Sequence, residues 1–61
     1  MYKTLIVYTH QGDTYTGLLK EETDRYIVLE DCSVDDCETI TRLKEAKIYK
    51  NNIAYQKVTR Y

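Results

Sequence analysis

The chain has 61 residues, with 9 Lys and Arg, 10 Asp and Glu and one His, for a formal net charge of -1. That length holds one domain, residues 1–61, and excludes an enzyme built from separate cofactor and substrate domains. The slightly acidic balance excludes a general basic coat for duplex DNA while leaving room for a local cationic patch.

No apolar run approaches the roughly 20 residues of a membrane-spanning helix. The first ten residues, MYKTLIVYTH, carry too short an apolar run, and no small-residue cleavage site, for a signal peptide. A cytoplasmic protein is therefore expected, with its two cysteines as reduced thiols. The 14 Val, Ile and Leu residues make only a thin core, so a chain of this size gains from a partner, a metal or self-association. There are 8 Thr and 7 Tyr, no Pro, no Phe, no Trp and only 2 Gly. Branched and flat side chains pack well on a pleated surface, and the composition predicts a mostly β fold.

In chain order, Thr4 to Thr9 is a short apolar run suited to a strand covered on both faces. Gln11-Gly12-Asp13 is a turn signal. Thr14 to Lys20 alternates, with Tyr15, Gly17 and Leu19 on one face. A glycine inside a strand marks a bend or a close backbone approach, which is the expectation at Gly17. Glu21 to Asp24 reads as a polar turn. Arg25 to Glu30 reads as a third strand with Ile27 and Leu29 on one face.

Glu38 to Lys50 is open to two assignments. LKEAK holds good helix formers, yet Ile40, Leu43, Ala46 and Ile48 make no clean helical stripe. The strand assignment is favoured. It puts Ile40, Arg42, Lys44, Ala46 and Ile48 on one face and closes a long hairpin turning near Asp35-Asp36. Asn51-Asn52 is a tight turn, and Ile53 to Thr59 is the last strand. Five short strands in this length point to a small, strongly bent barrel of SH3-like, OB-like or Sm-like type.

The order of loop lengths, with several residues, resembles the Sm-like superfamily: Sm and LSm proteins and bacterial Hfq. Gly12, Tyr15, Gly17, Leu19, Asp24, Ile27 and Leu29 fall in the places of the first Sm motif. The segment from Gly17 to Asp24 is one residue longer than usual. IYKNNIAYQKV resembles the second motif, with Ile48 and Ile53 at its core spacing. Tyr49-Lys50 is similar to the start of the Tyr-Lys-His signature of Hfq, with Asn51 where His stands. The N-terminal helix usual in the family is absent or reduced to Met1-Tyr2-Lys3.

The resemblance implies a strongly bent five-stranded Sm-like (SH3-like) barrel. It also implies a homo-oligomeric ring in which the fourth strand of one subunit pairs with the fifth of the next, removing exposed edges. In such rings single-stranded RNA threads around the pore.

Carried over residue by residue, the resemblance gives four RNA-binding candidates. Tyr26 stands where the family places a base-stacking group. Arg25 beside it would reach phosphate or stack its guanidinium. Lys50 and Asn51 would contact phosphate, a ribose hydroxyl or a base edge. Two departures bear on this. Val28 stands where Sm proteins carry a uracil-reading Asn, and Tyr49-Lys50 replaces their Arg-Gly pair. Glu30, Asp31, Asp35, Asp36 and Glu38 would repel RNA from the hairpin tip.

Other chemistry finds little support. Cys32 and Cys37 are spaced C-x4-C and lack the paired ligand spacing of a zinc site. They would face each other across the hairpin near its tip, where a disulfide would close only a short loop. His10 reads as a surface residue, and Ser33 is the only serine. Two glycines cannot build a phosphate-cradling loop. No cofactor, no metal and no catalysis are expected. The expectation is a ring that binds single-stranded RNA as a chaperone or regulator. The alternative is an Sm-fold ring or small barrel serving as a structural or protein-interaction module.

Overall fold

A computed structural model describes residues 3–59. It holds five strands: β1 (Thr4–Thr9), β2 (Thr14–Glu22), β3 (Tyr26–Asp35), β4 (Ile40–Tyr49) and β5 (Ile53–Thr59). One turn of 3-10 helix, Lys50–Asn52, joins β4 to β5. The strands form a single sheet in the order β4-β3-β2-β1-β5, antiparallel throughout. The strand assignment of the fourth segment holds, and no helix replaces it. The sheet does not close: β4 and β5 are its two edges, so the expected barrel is an open sheet in the single chain. Met1 and Tyr2, which the reduced N-terminal helix would include, lie outside the described residues.

Local chemistry sets the turns. Gly12 has φ 95°, a conformation that costs little without a Cβ. Its N–H donates to the Thr9 carbonyl at 3.1 Å. Thr9 is buried, and its hydroxyl accepts the Asp13 N–H at 3.1 Å, which satisfies a polar side chain inside the core. At the same end of the sheet, where Thr14 pairs with Asp35, the β3–β4 tip is tied by its own carboxylates. Asp35 Oδ1 accepts the Cys37 N–H at 3.0 Å. Asp36 Oδ1 accepts the N–H groups of Glu38 and Thr39 at 3.1 and 3.0 Å. The Thr39 and then the Glu38 amide hold the Asp36 carboxyl below its ordinary pKa.

Three β-bulges curve the sheet. The β2–β3 register shifts between Thr16 and Leu18, where Asp31 and Cys32 together oppose Gly17. Asp31 carries φ 50° at this point. The register shifts back between Leu19 and Glu21, where Lys20 is the extra residue. A third shift falls between Tyr8 and Thr9 on β1, where Ala54 is extra on β5. The first bulge turns Cys32 inward. Leu29 and Cys32 are both buried although three residues apart, and Asp31 between them is exposed.

The core is Leu5, Val7, Ile27, Leu29, Cys32 and Ile48, with Tyr15, Leu19, Ala46 and Ile53 packed against it. Gly17 lies directly over Cys32; a Cβ built on it would stand 2.4 Å from the Cys32 Cβ. The close approach expected at this glycine is thus the bulge seat.

Three expectations are corrected by the packing. β1 is not covered on both faces, since Leu5, Val7 and Thr9 are buried while Tyr8 on the other face is exposed. The proposed inward face of β4 holds only as far as Ile48 and Ala46. Leu43 pairs with buried Cys32 and so shares its face. Arg42 and Lys44 are exposed, and Ile40 pairs with Asp35 at the tip and is 68% exposed. The cysteines do not face each other: Cys32 is buried opposite Leu43, Cys37 is exposed in the tip, and both are free. Burial pushes the Cys32 thiol pKa up.

Among the described residues no helix is long and apolar enough to cross a membrane.

Candidate functional site

Two short turns at one end of the sheet build the site. The first joins β2 to β3 and is organised by Thr23. Its hydroxyl accepts the N–H groups of Arg25 and Tyr26 at 3.2 and 3.1 Å. The Thr23 N–H donates to the Tyr26 carbonyl at 2.9 Å. Side-chain oxygens of this kind stand in for backbone acceptors and fix tight turns. Asp24 and Arg25 are left exposed at the apex. The second turn is the 3-10 helix Lys50–Asn52.

One backbone bond joins the two. The Lys50 N–H donates to the Arg25 carbonyl at 2.7 Å, just beyond the last cross-strand pair, Tyr26 with Tyr49. The 3-10 turn is also held to the β1–β2 turn, where the His10 N–H donates to the Asn52 carbonyl at 3.0 Å. A cleft of about 260 Å³ opens between the turns, lined by Asp24, Arg25, Tyr49, Lys50 and Asn51.

Three of the four candidate residues therefore meet in one cleft: Arg25, Lys50 and Asn51. They come from positions 25 residues apart in sequence, and the backbone bond fixes their spacing. Lys50 is not free in it. Its ammonium is 3.0 Å from Glu22 Oε2, in an ion pair that is substantially exposed. Arg25 makes no ion pair among the described residues. The cleft thus offers one uncommitted cation, one cation already paired to a carboxylate, and the competing charge of Asp24.

The fourth candidate, Tyr26, stands apart. It is half-buried on the opposite face of the sheet from Ile27. Its ring meets the Tyr49 ring edge-on, with centroids 5.9 Å apart. The Lys47 ammonium sits 4.4 Å from its centroid and 5.7 Å from that of Tyr49. Such contacts are cation–π attractions, worth about 0.5–1 kcal/mol at exposed sites.

Sequence reasoning misses two members of this site. Tyr49 is exposed and lines the cleft. Lys47 caps the tyrosine pair. The signal for both is their alternation: two apart on a strand, they share one face. Glu22 reads in the sequence as part of a polar turn, whereas it ends β2 and pairs with Lys50.

Elsewhere, a hollow of about 380 Å³ lies along β4, lined by Asp31, Arg42, Leu43 and Lys44. Among the described residues no group of three or more His, Cys, Asp or Glu is placed to hold a metal ion. No protein-family model matches the chain, and no curated protein matches it.

Proposed function

We propose that the chain is an Sm-like, Hfq-like subunit that assembles into a homo-oligomeric ring and binds single-stranded RNA without catalysing a reaction. The observation that carries this is the convergence of Arg25, Lys50 and Asn51 on one cleft beside an exposed tyrosine. Cations beside an aromatic face are what a single strand needs: phosphates for the charges and bases for the ring. A ring repeats the cleft once per subunit, so weak single contacts add up through high effective concentration.

The ring half of the proposal draws support from the open sheet. β4 and β5 are free antiparallel edges of ten and seven residues, and β5 is exposed from Ala54 to Val58. Ile40 and Leu43 on β4, and Tyr55 and Val58 on β5, are apolar or aromatic and exposed. Unpaired edges with apolar side chains aggregate unless something covers them. Pairing β4 of one subunit with β5 of the next would cover both.

The same exposed edges favour a second proposal, a ring or small barrel that serves as a structural or protein-interaction module. In that case the Lys50–Glu22 pair is simply a neutralised surface.

Native mass spectrometry of the protein with short U-rich and A-rich RNA, at low and moderate salt, separates these. The RNA-binding proposal expects a discrete oligomer that gains the mass of one strand and loses it as salt rises. An oligomer that takes up neither RNA leaves the interaction module. A monomer at every concentration sinks the ring.

A further inference from the structure

Tyr26, Lys47 and Tyr49 share the outer face of the sheet, opposite Ile27 and Ile48. Tyr49 belongs to two places at once. It lines the cleft with Arg25, Lys50 and Asn51, and it packs against Tyr26 on the outer face. It therefore forms the lip between the cleft and that face. Lys47 makes no ion pair among the described residues, and only aromatic rings hold its ammonium. Ring quadrupoles attract a cation without neutralising its charge, so Lys47 is both preordered and available to an anion.

From this geometry we propose a second nucleotide subsite, contiguous with the cleft and resting on the RNA-binding proposal above. A strand leaving the cleft crosses the lip, stacks a base on the exposed Tyr49 ring and places the next phosphate on Lys47. Tyr26 is not the stacking residue. It is half-buried, with its ring already engaged by Lys47 and Tyr49, and it is the positioning residue that holds the lysine. Strand pairing at the β4 edge would use backbone donors and acceptors, so it would leave these face side chains open. Glu45 shares this face two residues from Lys47 on β4, with Glu30 as its cross-strand partner, and the Glu45 carboxylate is held by the Lys20 ammonium at 3.0 Å. Glu21, opposite Val28 on β2, stands two strands from Lys47, roughly 10 Å away at about 4.8 Å per strand.

The test is fluorescence anisotropy of labelled U-rich and A-rich oligonucleotides with the full chain, titrated across salt concentrations. Lys47→Met keeps the aliphatic stem against the tyrosines and removes the charge. It should weaken binding and flatten the plot of log affinity against log salt by about 0.7 for each phosphate no longer neutralised. Lys47→Arg should restore both. Tyr49→Leu should weaken binding roughly 5- to 150-fold, the loss of one stacked base, with an unchanged salt slope. Tyr26→Leu should mimic Lys47→Met only partly, because the charge remains but is no longer held. Circular dichroism confirms that each variant is folded.

A wild type that binds, a Lys50→Ala that weakens it, and Lys47→Met and Tyr49→Leu that match wild type would overturn the subsite while leaving the cleft. A wild type that binds no oligonucleotide would overturn both.

Discussion

Gly17→Ala is the sharpest perturbation this fold permits. The new Cβ would stand 2.4 Å from the Cys32 Cβ, 2.9 Å from the Cys32 Cα and 3.2 Å from the Glu30 carbonyl oxygen. Carbon atoms rest at about 3.5–4.0 Å, so β2 and β3 would have to separate by roughly 1 Å. Rotating a side chain gives no relief, because a Cβ and a Cα have no rotamer. Overpacking of this kind costs about 1–3 kcal/mol, and widening the ladder adds about 1 kcal/mol for each weakened hydrogen bond. A chain of this length holds only about 3–9 kcal/mol of total stability.

Urea unfolding followed by far-ultraviolet circular dichroism, at one fixed protein concentration, measures the effect. With a slope near 1 kcal/mol per molar urea, the midpoint should fall by about 1–3 M, or the variant should not fold at all. Cys32 supplies the control. Cys32→Gly removes the closest atom, so the double variant with Gly17→Ala should be less destabilised than the sum of the two single changes. Cys32→Ala keeps the Cβ and should give no such coupling. Equal coupling in the two cycles, or a Gly17→Ala midpoint equal to wild type, would refute the packing of the bulge against Gly17.

Lys50→Ala should change stability by less than about 1 kcal/mol, since its pair with Glu22 is exposed. It should weaken RNA binding and flatten the salt dependence, whereas Glu22→Gln should strengthen binding by freeing the ammonium; indistinguishable anisotropy titrations for the two would remove Lys50 from the site. Ellman's reagent should label exposed Cys37 at once and buried Cys32 only on unfolding, so two fast thiols would contradict the core assignment. Burial holds the Cys32 pKa above its unfolded value of about 8.5, so as pH rises the unfolded chain loses this proton first. The stabilisation is whole below that unfolded value and is lost as pH climbs through the folded one. The urea midpoint should therefore drop as pH rises from about 8 to about 9.5, and drop less in Cys32→Ala. A chain ending before Ile53 loses all of β5 and its pairing along β1; it should give no cooperative unfolding transition, and a folded, assembled truncation would contradict the topology.

Much of the strand layout is legible in the sequence because it is local. Thr4–Thr9 and Ile53–Thr59 begin and end where their apolar runs and flanking turns place them. β3 is less so. Its pattern ends at Glu30 by simple alternation, yet the strand continues to Asp35 because Ile40–Tyr49 pairs with it along its whole length. The interrupted spacing of Leu29, Cys32 and Val34 is visible in the sequence as a break in the period. It cannot be assigned to a bulge without knowing that Gly17 lies opposite, since a bulge is a mismatch between two strands. The same holds for β2, which runs on to Glu22 only because Ile27 and Val28 supply partners.

For the site, residue identity is legible and company is not. Arg25, Lys50 and Asn51 can be named from the chain, but their meeting depends on the bond from the Lys50 amide to the Arg25 carbonyl. Tyr26 stands at a stacking position in the sequence, and only its neighbours show the ring engaged by Lys47. The sequence alone determined the all-β class, the five strands and the turn chemistry at Gly12, because period, propensity and φ preference act within a few residues. The tertiary structure decided the open edges, the bulge over Gly17, the pairing of Lys50 with Glu22 and the lysine on the tyrosine pair. Each of those depends on residues distant in sequence, and their separation is set by register between strands, which the pattern of one strand does not encode.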